Sequence, residues 1–594
     1  MKAISERRRE NQRGMAIFFY ATMLIFVIGC VGLAVDVGTI YMIRARLVAA
    51  VDAAALAAGR SVNLANSVGA ATTAATNTAD QFFAANFPTG YFNSVGSPTV
   101  TPTFTQEPDV NGNPNGILDI SVGASVSAPT YFMNIFNVHS INVTATGTAS
   151  RRGLVLMLVL DQSSSMGSGA GSPCEVMKGA AENFITLFSP FDQIGLVTFD
   201  YTAHMMDAPT TNRVQVNNDI AAINCNNNTN TISALELAYQ QIKATGLPLA
   251  LNTIVLFTDG SPNGITANFP AYTSADTRYA PALGTQDGPL PITPASNWET
   301  PIPANPPYVI PPQSPSYACS DKMSSQDANG QYDNLMCQNM PPVCTDPAAT
   351  LYGTLVQWGD QNSYGAHTAG LFPPTDSDPV VIPSSCNTYY QAGQNIRQFI
   401  AYIPNTDKYG NSLLNGVAAG GTGPTVQGGY LTRENWLFQV NNACTTNPAV
   451  TPSCRNEGGE WAANPGIGTG SNLFTAGPYQ NYLRPDQPNT VVAASMNGTM
   501  AEANKIRNDS TYHPVIHTIY LTGNATDAVD REFLAVVANA PQITALPYDT
   551  AFTPYANPAY VTGQETGKYL VTSDRNSLTS LFAQLASEVL RLSH

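Results

Sequence analysis

The sequence predicts an α/β protein: a doubly wound, mostly parallel sheet broken by a large irregular insertion, and preceded by a transmembrane helix and a small α+β segment. Three observations carry that expectation. A charge-free run, Gly14 to Val35, lies near the N-terminus. Short apolar runs without alternation, LVLMLVL (154–160), IGLVTF (194–199) and TIVLFT (253–258), are separated by amphipathic stretches, as in a sheet covered on both faces. More than two hundred residues rich in Pro, Asn, Gly, Ser and Tyr then pass before that grammar resumes near Thr490.

Bulk composition narrows the function classes. At 594 residues, the chain should hold three or four units at roughly 150 residues each. Only 11% of residues are charged, well under the roughly 25% of ordinary soluble domains. The net charge is −15, and there is no Lys/Arg stripe to neutralise phosphates, so nucleic acid is excluded as a partner. Cys30 falls in the apolar run; Cys174, Cys225, Cys319, Cys337, Cys344, Cys386, Cys444 and Cys454 lie beyond it. No CxxC pair occurs and the six histidines are scattered, so zinc spacing is missing and the eight read as disulfides of a segment outside the cytoplasm, with unpaired buried cysteines as the alternative.

Residues 1–13 form a basic tail with Lys2, Arg7, Arg8, Arg9 and Arg13. The span 14–35 would reach roughly 33 Å as a helix, enough for a bilayer core. A cleaved signal peptide would have a shorter apolar region ending in small residues; here Asp36 follows directly. The basic flank sets the N-terminus in the cytoplasm and the bulk of the chain in the periplasm or at the surface. Beyond it, Ile40, Ile43, Leu47, Ala50 and Ala54 form one helical stripe.

The stretch DVGTIYMIRARLVAAVDAAALAAGR (36–60) joined to that span resembles the N-terminal segment of Tad-type pilus-assembly proteins. Related processed pseudopilins carry a glycine, four residues and then Glu-Tyr. This chain has Gly14 and Tyr20 but Phe19 in place of the glutamate, which points to an uncleaved anchor in the inner membrane. Residues 36–152 then read as a helix plus a small β segment, pilin-like in layout, with a helical piece near 78–86 and the strands ILDISVGASV and INVTATGTA.

At Gly153 the pattern changes. The run 154–160 ends in Asp161-Gln-Ser163-Ser-Ser165, a DxSxS motif; Thr229 precedes the helix ISALELAYQQIKA, which it is expected to open; Asp259-Gly260 ends a further strand. In an open parallel sheet the carboxyl ends of the strands share one edge, which brings these side chains together. Carboxylates and hydroxyls are hard oxygen donors suited to Mg²⁺ first, with Mn²⁺ or Ca²⁺ as alternatives. The set Asp161, Ser163, Ser165, Thr229 and Asp259 resembles the metal-ion-dependent adhesion site of von Willebrand A domains. Asn227 and Asn228 stand where that family has two glycines before the threonine; asparagine tolerates the left-handed backbone. In the family, a partner's carboxylate completes the metal's coordination, so the resemblance implies recognition chemistry. At the end of its strand, Asp161 is expected to face solvent. A helix-capping Ser/Asp set on an inactive domain is the bland alternative.

Cys174, which opens the helix after DxSxS, and Cys225, just before Thr229, are expected to form a disulfide at the same edge; closing such a loop stabilises by about 4 kcal/mol in the loop-entropy account. The domain boundaries that follow are 153–264 and 490–594 for the two halves of the A domain and 265–489 for the Cys-containing insertion. No G-x-S-x-G elbow, P-loop or H-E-x-x-H appears, and no small-molecule substrate or enzyme activity is expected. The whole resembles TadG-like proteins of tight-adherence (Flp) pilus assembly: a single-pass, non-enzymatic protein that binds a protein partner, a pilus-assembly component, through the metal site. The alternatives are an adhesin-like receptor unconnected to pilus assembly and, more distantly, a metal-dependent hydrolase.

Overall fold

The apolar span and the alanine-rich stretch after it form one continuous helix, α1 (Lys2–Ser61), in a computed structural model that describes residues 2–62, 67–95, 101–108, 114–271, 490–522, 528–544 and most of 554–592, together with parts of 344–413. The chain divides into two compact units that meet in sequence at Gly153 and Leu154.

In the first unit, the two halves of α1 differ in what surrounds them. Ile17 to Val35 carries exposed Phe18, Phe19, Leu24, Ile25 and Phe26, and it is long and apolar enough to cross a membrane. Further on, Ile43, Leu47, Ala50 and Ala54 are fully buried, with Ile40 packed beside them. They meet α2 (Val68–Asn86), whose buried face is Ala71, Ala75, Ala79 and Phe83. Ser67 caps α2 by accepting from the Ala70 N–H, so the helix begins ten residues before the expected Thr78.

An antiparallel sheet of β1 (Thr103–Pro108), β2 (Pro114–Pro129) and β3 (Ser140–Arg152), ordered β1-β2-β3, covers the same helices. Alternation sorts its faces: Leu118, Ile120, Val122, Ala124, Val126 and Ala128 are buried, and their odd-numbered neighbours are partly or fully exposed. Gly147 on β3 lies against the α1 backbone, where a Cβ would come within 2.7 Å of the Asp52 nitrogen.

The second unit opens with β4 (Leu154–Asp161), buried along its whole length. α3 (Pro173–Ile185) follows, with Ser172 as its cap and proline in its first turn. Then come β5 (Gln193–Phe199), β6 (Ala203–Thr210), α4 (Arg213–Ala222), α5 (Thr231–Thr245), β7 (Leu251–Thr258), β8 (Gly264–Pro270), β9 (Thr350–Trp358), β10 (His367–Phe372), α6 (Thr490–Arg507), β11 (Val515–Leu521) and α7 (Ala528–Val537). A two-residue ribbon, β12 (Gln542–Ile543) with β13 (Tyr555–Ala556), precedes β14 (Tyr569–Thr572) and α8 (Leu578–Leu592).

The main sheet has the order β14-β11-β7-β4-β5-β6. Every neighbouring pair in it is parallel except β5–β6. On one face Val155, Met157, Ile254 and Leu256 pack with Ile232, Leu235 and Ile242 of α5 and Met496 and Met500 of α6. Toward α3 and α8, Phe582 stacks on Phe257 (6.0 Å) and meets Phe184 edge-on (5.1 Å). The doubly wound α/β architecture is therefore present, with β4 and β7 at its centre.

The stretch between β5 and Thr229, for which the sequence gives no element, forms β6 and α4, and one expectation is corrected. The insertion is not purely irregular: β8, β9 and β10 form an antiparallel sheet ordered β10-β9-β8, with Ile265, Phe269, Leu351, Leu355 and Leu371 in the core and a Cys344–Cys386 disulfide beside them. β8 is hard to read from sequence because Ile265, Ala267 and Phe269 alternate with Thr266 and Asn268 over only five residues before a proline ends the strand. Trp298, Trp436 and Trp461, with Cys319, Cys337, Cys444 and Cys454, lie outside the described residues.

Candidate metal-binding site

The parallel strands β4 and β7 end side by side, Leu160 pairing with Phe257, and deliver Asp161 and Asp259 to one edge. From there a chain of side-chain hydrogen bonds runs outward. Asp161 accepts from the Ser163 N–H (2.8 Å) and from the Thr258 hydroxyl (2.6 Å). The Ser163 and Ser165 hydroxyls are 2.9 Å apart, and Ser165 donates to the Asp259 carboxylate at 2.7 Å. Asp161 and Ser163 are buried, whereas Ser165 is exposed and Asp259 half-buried. The arrangement thus has a closed inner end and an outer end open to solvent.

Four of the five candidate residues are joined in this way. Thr229 lies in the adjoining loop and is held through its backbone: its N–H donates to Asn263 Oδ1 (2.8 Å), and its carbonyl accepts from the N–H groups of Asn263 (2.8 Å) and Gly264 (3.0 Å). Thr229 does not open the helix. Asn230 is the cap, accepting from Ser233, and α5 starts at Thr231.

The loop before α5 is also zipped to the DxSxS loop. The Asn226 N–H donates to the Gln162 carbonyl at 2.7 Å, and the Ser164 N–H donates to the Asn227 carbonyl at 2.8 Å. Cys174 and Cys225, the pair expected from the sequence, are disulfide-bonded with Cα atoms 6.2 Å apart, which ties the same loop to the first turn of α3. Asn227 adopts φ +65°, the left-handed backbone that a glycine would take there, and its side chain donates to Asp200 at 3.1 Å. Asp200 also lies 3.1 Å from His204, whose second ring nitrogen faces Asp376. Burial acts to lower the His204 pKa, but the two carboxylates prevail and push it up to about 9.

One expectation about Asp161 is overturned. Its side chain does not face solvent but is fully buried. Burial pushes its carboxyl above the usual carboxylate range, and hydrogen bonds from Ser163, Thr258 and the backbone only partly offset this. A strand-end side chain becomes buried here because β7 runs alongside and places Thr258 on it. Thr258 is the residue sequence reasoning missed; the signal was a hydroxyl immediately before Asp259.

The candidate donors are two carboxylates and three hydroxyls, an all-oxygen set of the kind that suits a hard divalent cation. Among the described residues no group of three His, Cys, Asp or Glu side chains is gathered for a metal, so a softer site of zinc type is not formed there. The residues fit a Mg²⁺-like ion in one further respect: Asp161 is a carboxyl group removed from water whose hydrogen-bond partners are all neutral donors.

The sheet order, with Asp161 and Asp259 at the carboxyl edge of β4 and β7, defines a von Willebrand factor A-type fold, and residues 156–261 match the model described as von Willebrand factor type A domain. Residues 14–61 match a second family, putative Flp pilus-assembly TadE/G-like. The chain is therefore a TadE/G-like segment followed by an A domain. No curated protein matches it in sequence. Among solved structures, the vWF domain of the type V pili tip protein Mfa5 from Porphyromonas gingivalis is 14% identical, over 75% of this chain and 98% of that one, with a TM-score of 0.30. The PilB minor pilin from Streptococcus sanguinis is 9% identical, over 84% and 79% of the two chains, at 0.30. The conserved hypothetical protein BatB from Bacteroides thetaiotaomicron is 21% identical, over 18% and 54%, at 0.17.

Proposed function

We propose that the protein is a membrane-anchored, extracytoplasmic component of tight-adherence (Flp) pilus assembly or anchoring, and that it binds a protein partner through a divalent cation held by Asp161, Ser163, Ser165, Thr229 and Asp259. The observation that carries this reading is the hydrogen-bonded chain from buried Asp161 out to exposed Ser165, in a chain whose residues 14–61 are TadE/G-like. The bound cation would neutralise the carboxylates and offer an acceptor a charged contact point. The residues themselves orient that point: Thr258 and the Ser163 N–H fix Asp161, and the zipped loops fix Thr229. This is recognition rather than catalysis. The charge-free span sets residues 14–35 in the inner membrane with the basic tail in the cytoplasm.

The test is thermal unfolding of the full chain in detergent with EDTA, then with Mg²⁺ or Mn²⁺. A cation at a hundred times its Kd stabilises by about 2.7 kcal/mol, so the midpoint should rise for the wild type. Asp161→Asn, which keeps the shape and removes the charge, should show no rise. In parallel, membranes are cross-linked and the protein recovered with and without EDTA; the co-purifying partner should disappear with EDTA and in Asp161→Asn. A wild-type midpoint indifferent to cations, or a partner retained under both conditions, would sink this reading.

A further inference from the structure

The loop between β2 and β3 has no role in the proposed cation site, and it is built in an unusual way. It contains Thr130-Tyr-Phe-Met-Asn-Ile-Phe-Asn-Val-His139, and no Asp, Glu, Lys or Arg occurs anywhere from Ile120 to Ser150. Its tip is a single 3-10 turn, Met133–Phe136, closed by Asn137 in the left-handed region. The tip's apolar side chains are turned outward: Ile135 is 73% exposed and Phe136 78%.

Two contacts fix where this loop stands along α1. Asp36, the first charged residue after the apolar span, accepts hydrogen bonds from the backbone N–H groups of Tyr131 (2.8 Å), Phe132 (2.9 Å) and Met133 (2.7 Å). One helical turn earlier, Gly32 is buried beneath the Phe132 ring, and a Cβ at Gly32 would fall 2.1 Å from that ring. Gly32 belongs to the charge-free span, so Phe132 sits at a depth that the span itself occupies. A soluble surface gains nothing by holding two bare apolar side chains beside a membrane helix. Tyr131, half-exposed, and Tyr41, 72% exposed on α1, are residues of the kind that collect at membrane–water interfaces.

We infer that the β2–β3 loop is a second membrane contact, with Ile135 and Phe136 inserted among phospholipid acyl chains at the interface and the loop pinned to the anchor helix by Asp36 and Gly32. The inference rests on the membrane reading of residues 14–35. Insertion is by apolar burial, roughly 5–10 Å into the headgroup boundary, and owes nothing to anionic lipid, since the loop carries no basic residue apart from His139. Its consequence is mechanical: a helix anchored at one point can swivel, whereas a helix with a pinned loop beside it holds the small sheet at a set tilt to the bilayer.

The experiment uses the full chain in vesicles of phosphatidylcholine brominated on the acyl chains, read as the emission that one added tryptophan contributes over the wild type. Phe136→Trp is the test position and Phe26→Trp, within the span, the positive control. Thr148→Trp is the negative control; it is exposed on β3, about 26 Å along the strand from Ser140 at ~3.3 Å per residue. Phe136→Trp should lose about half of its added emission to the brominated lipid, equally with and without phosphatidylglycerol, while Thr148→Trp loses none. If Phe26→Trp is quenched and Phe136→Trp is not, the loop inference is overturned and the anchor stands. If neither is quenched, the anchor reading fails and takes this one with it. Shielding of Phe136→Trp from acrylamide without quenching by brominated lipid would mean that protein, not lipid, covers the loop, and would also overturn the inference.

Discussion

At the carboxyl edge of the sheet, Asp161 is held by hydroxyls and backbone N–H groups, while between α5 and α6 the buried carboxylates Glu236 and Glu502 are held by an amine. Lys505 donates to Glu502 at 2.9 Å and to Glu236 at 3.0 Å, and Asn411 bridges Glu502 to Asp407. Both places gather carboxyl groups away from water, where the charged form is costly unless positive charge is supplied. The inner cluster carries its own cation on the chain. For Asp161, the groups that oppose the cost of burial are Ser163, Thr258 and the backbone, none of them charged. Under the proposed reading, the contrast is between a structural acidic cluster with its own amine and one whose charge an ion from solution would meet.

The strongest way to break that comparison is to strip the inner cluster of its amine. Lys505→Met leaves Glu502, fully buried, and Glu236 facing each other without their counter-charge. We expect a loss of about 2–3 kcal/mol in urea denaturation at pH 7, below the range for a fully buried pair because the Lys505 side chain is 40% exposed. Added Mg²⁺ should not restore it. If Mg²⁺ did restore it, the inner cluster would also be a cation site and the distinction would collapse.

A pH measurement sharpens the same contrast. Burial, and then the neighbouring Glu236 carboxyl, push Glu502 up to about 8, against an ordinary glutamate value of 4.5. Between those pH values the folded chain holds a proton that the unfolded chain has released. The contribution is therefore fully present below pH 4.5 and is lost as pH rises toward 8, at up to about 1.4 kcal/mol per pH unit. Glu502→Gln removes this titration, so its stability should fall less steeply than the wild type's between pH 5 and 8. Parallel slopes in the two proteins would show that the proton is not held there.

The sequence alone reveals the outer cluster and conceals the inner one, for physical reasons. Asp161, Ser163 and Ser165 lie within five residues of one another at the end of an apolar run, and parallel-sheet geometry dictates that strands ending in Asp161 and Asp259 converge. Glu236, Asp407, Asn411, Glu502 and Lys505 come from three distant segments, and nothing local marks any of them as buried. The stripe Ile43, Leu47, Ala50 and Ala54 is legible because helical periodicity repeats it; β8 to β10 are not, since their short strands lie among turn-forming residues and pair across about eighty residues of insertion. Burial of Asp161 is missed for a related reason: it depends on Thr258, a neighbour ninety-seven positions away.

The smallest expected effect tests the loop that carries Thr229. Asn227 occupies φ +65°, and its carbonyl accepts from the Ser164 N–H, which binds this loop to DxSxS. If its task is to supply that backbone geometry, glycine can take its place. Asn227→Gly should cost about 0.5 kcal/mol or less: the left-handed conformation becomes easier, while the side-chain bond to Asp200 is lost and the unfolded chain gains freedom. The midpoint shift produced by Mg²⁺ should be unchanged. Asn227→Val pays about 1–2 kcal/mol for a branched side chain in that backbone region and should reduce the Mg²⁺ shift as the loop moves away from Ser164. Equal Mg²⁺ shifts in both variants would show that the loop does not position Thr229 for an ion. The outer cluster would then consist of Asp161, Ser163, Ser165 and Asp259 alone.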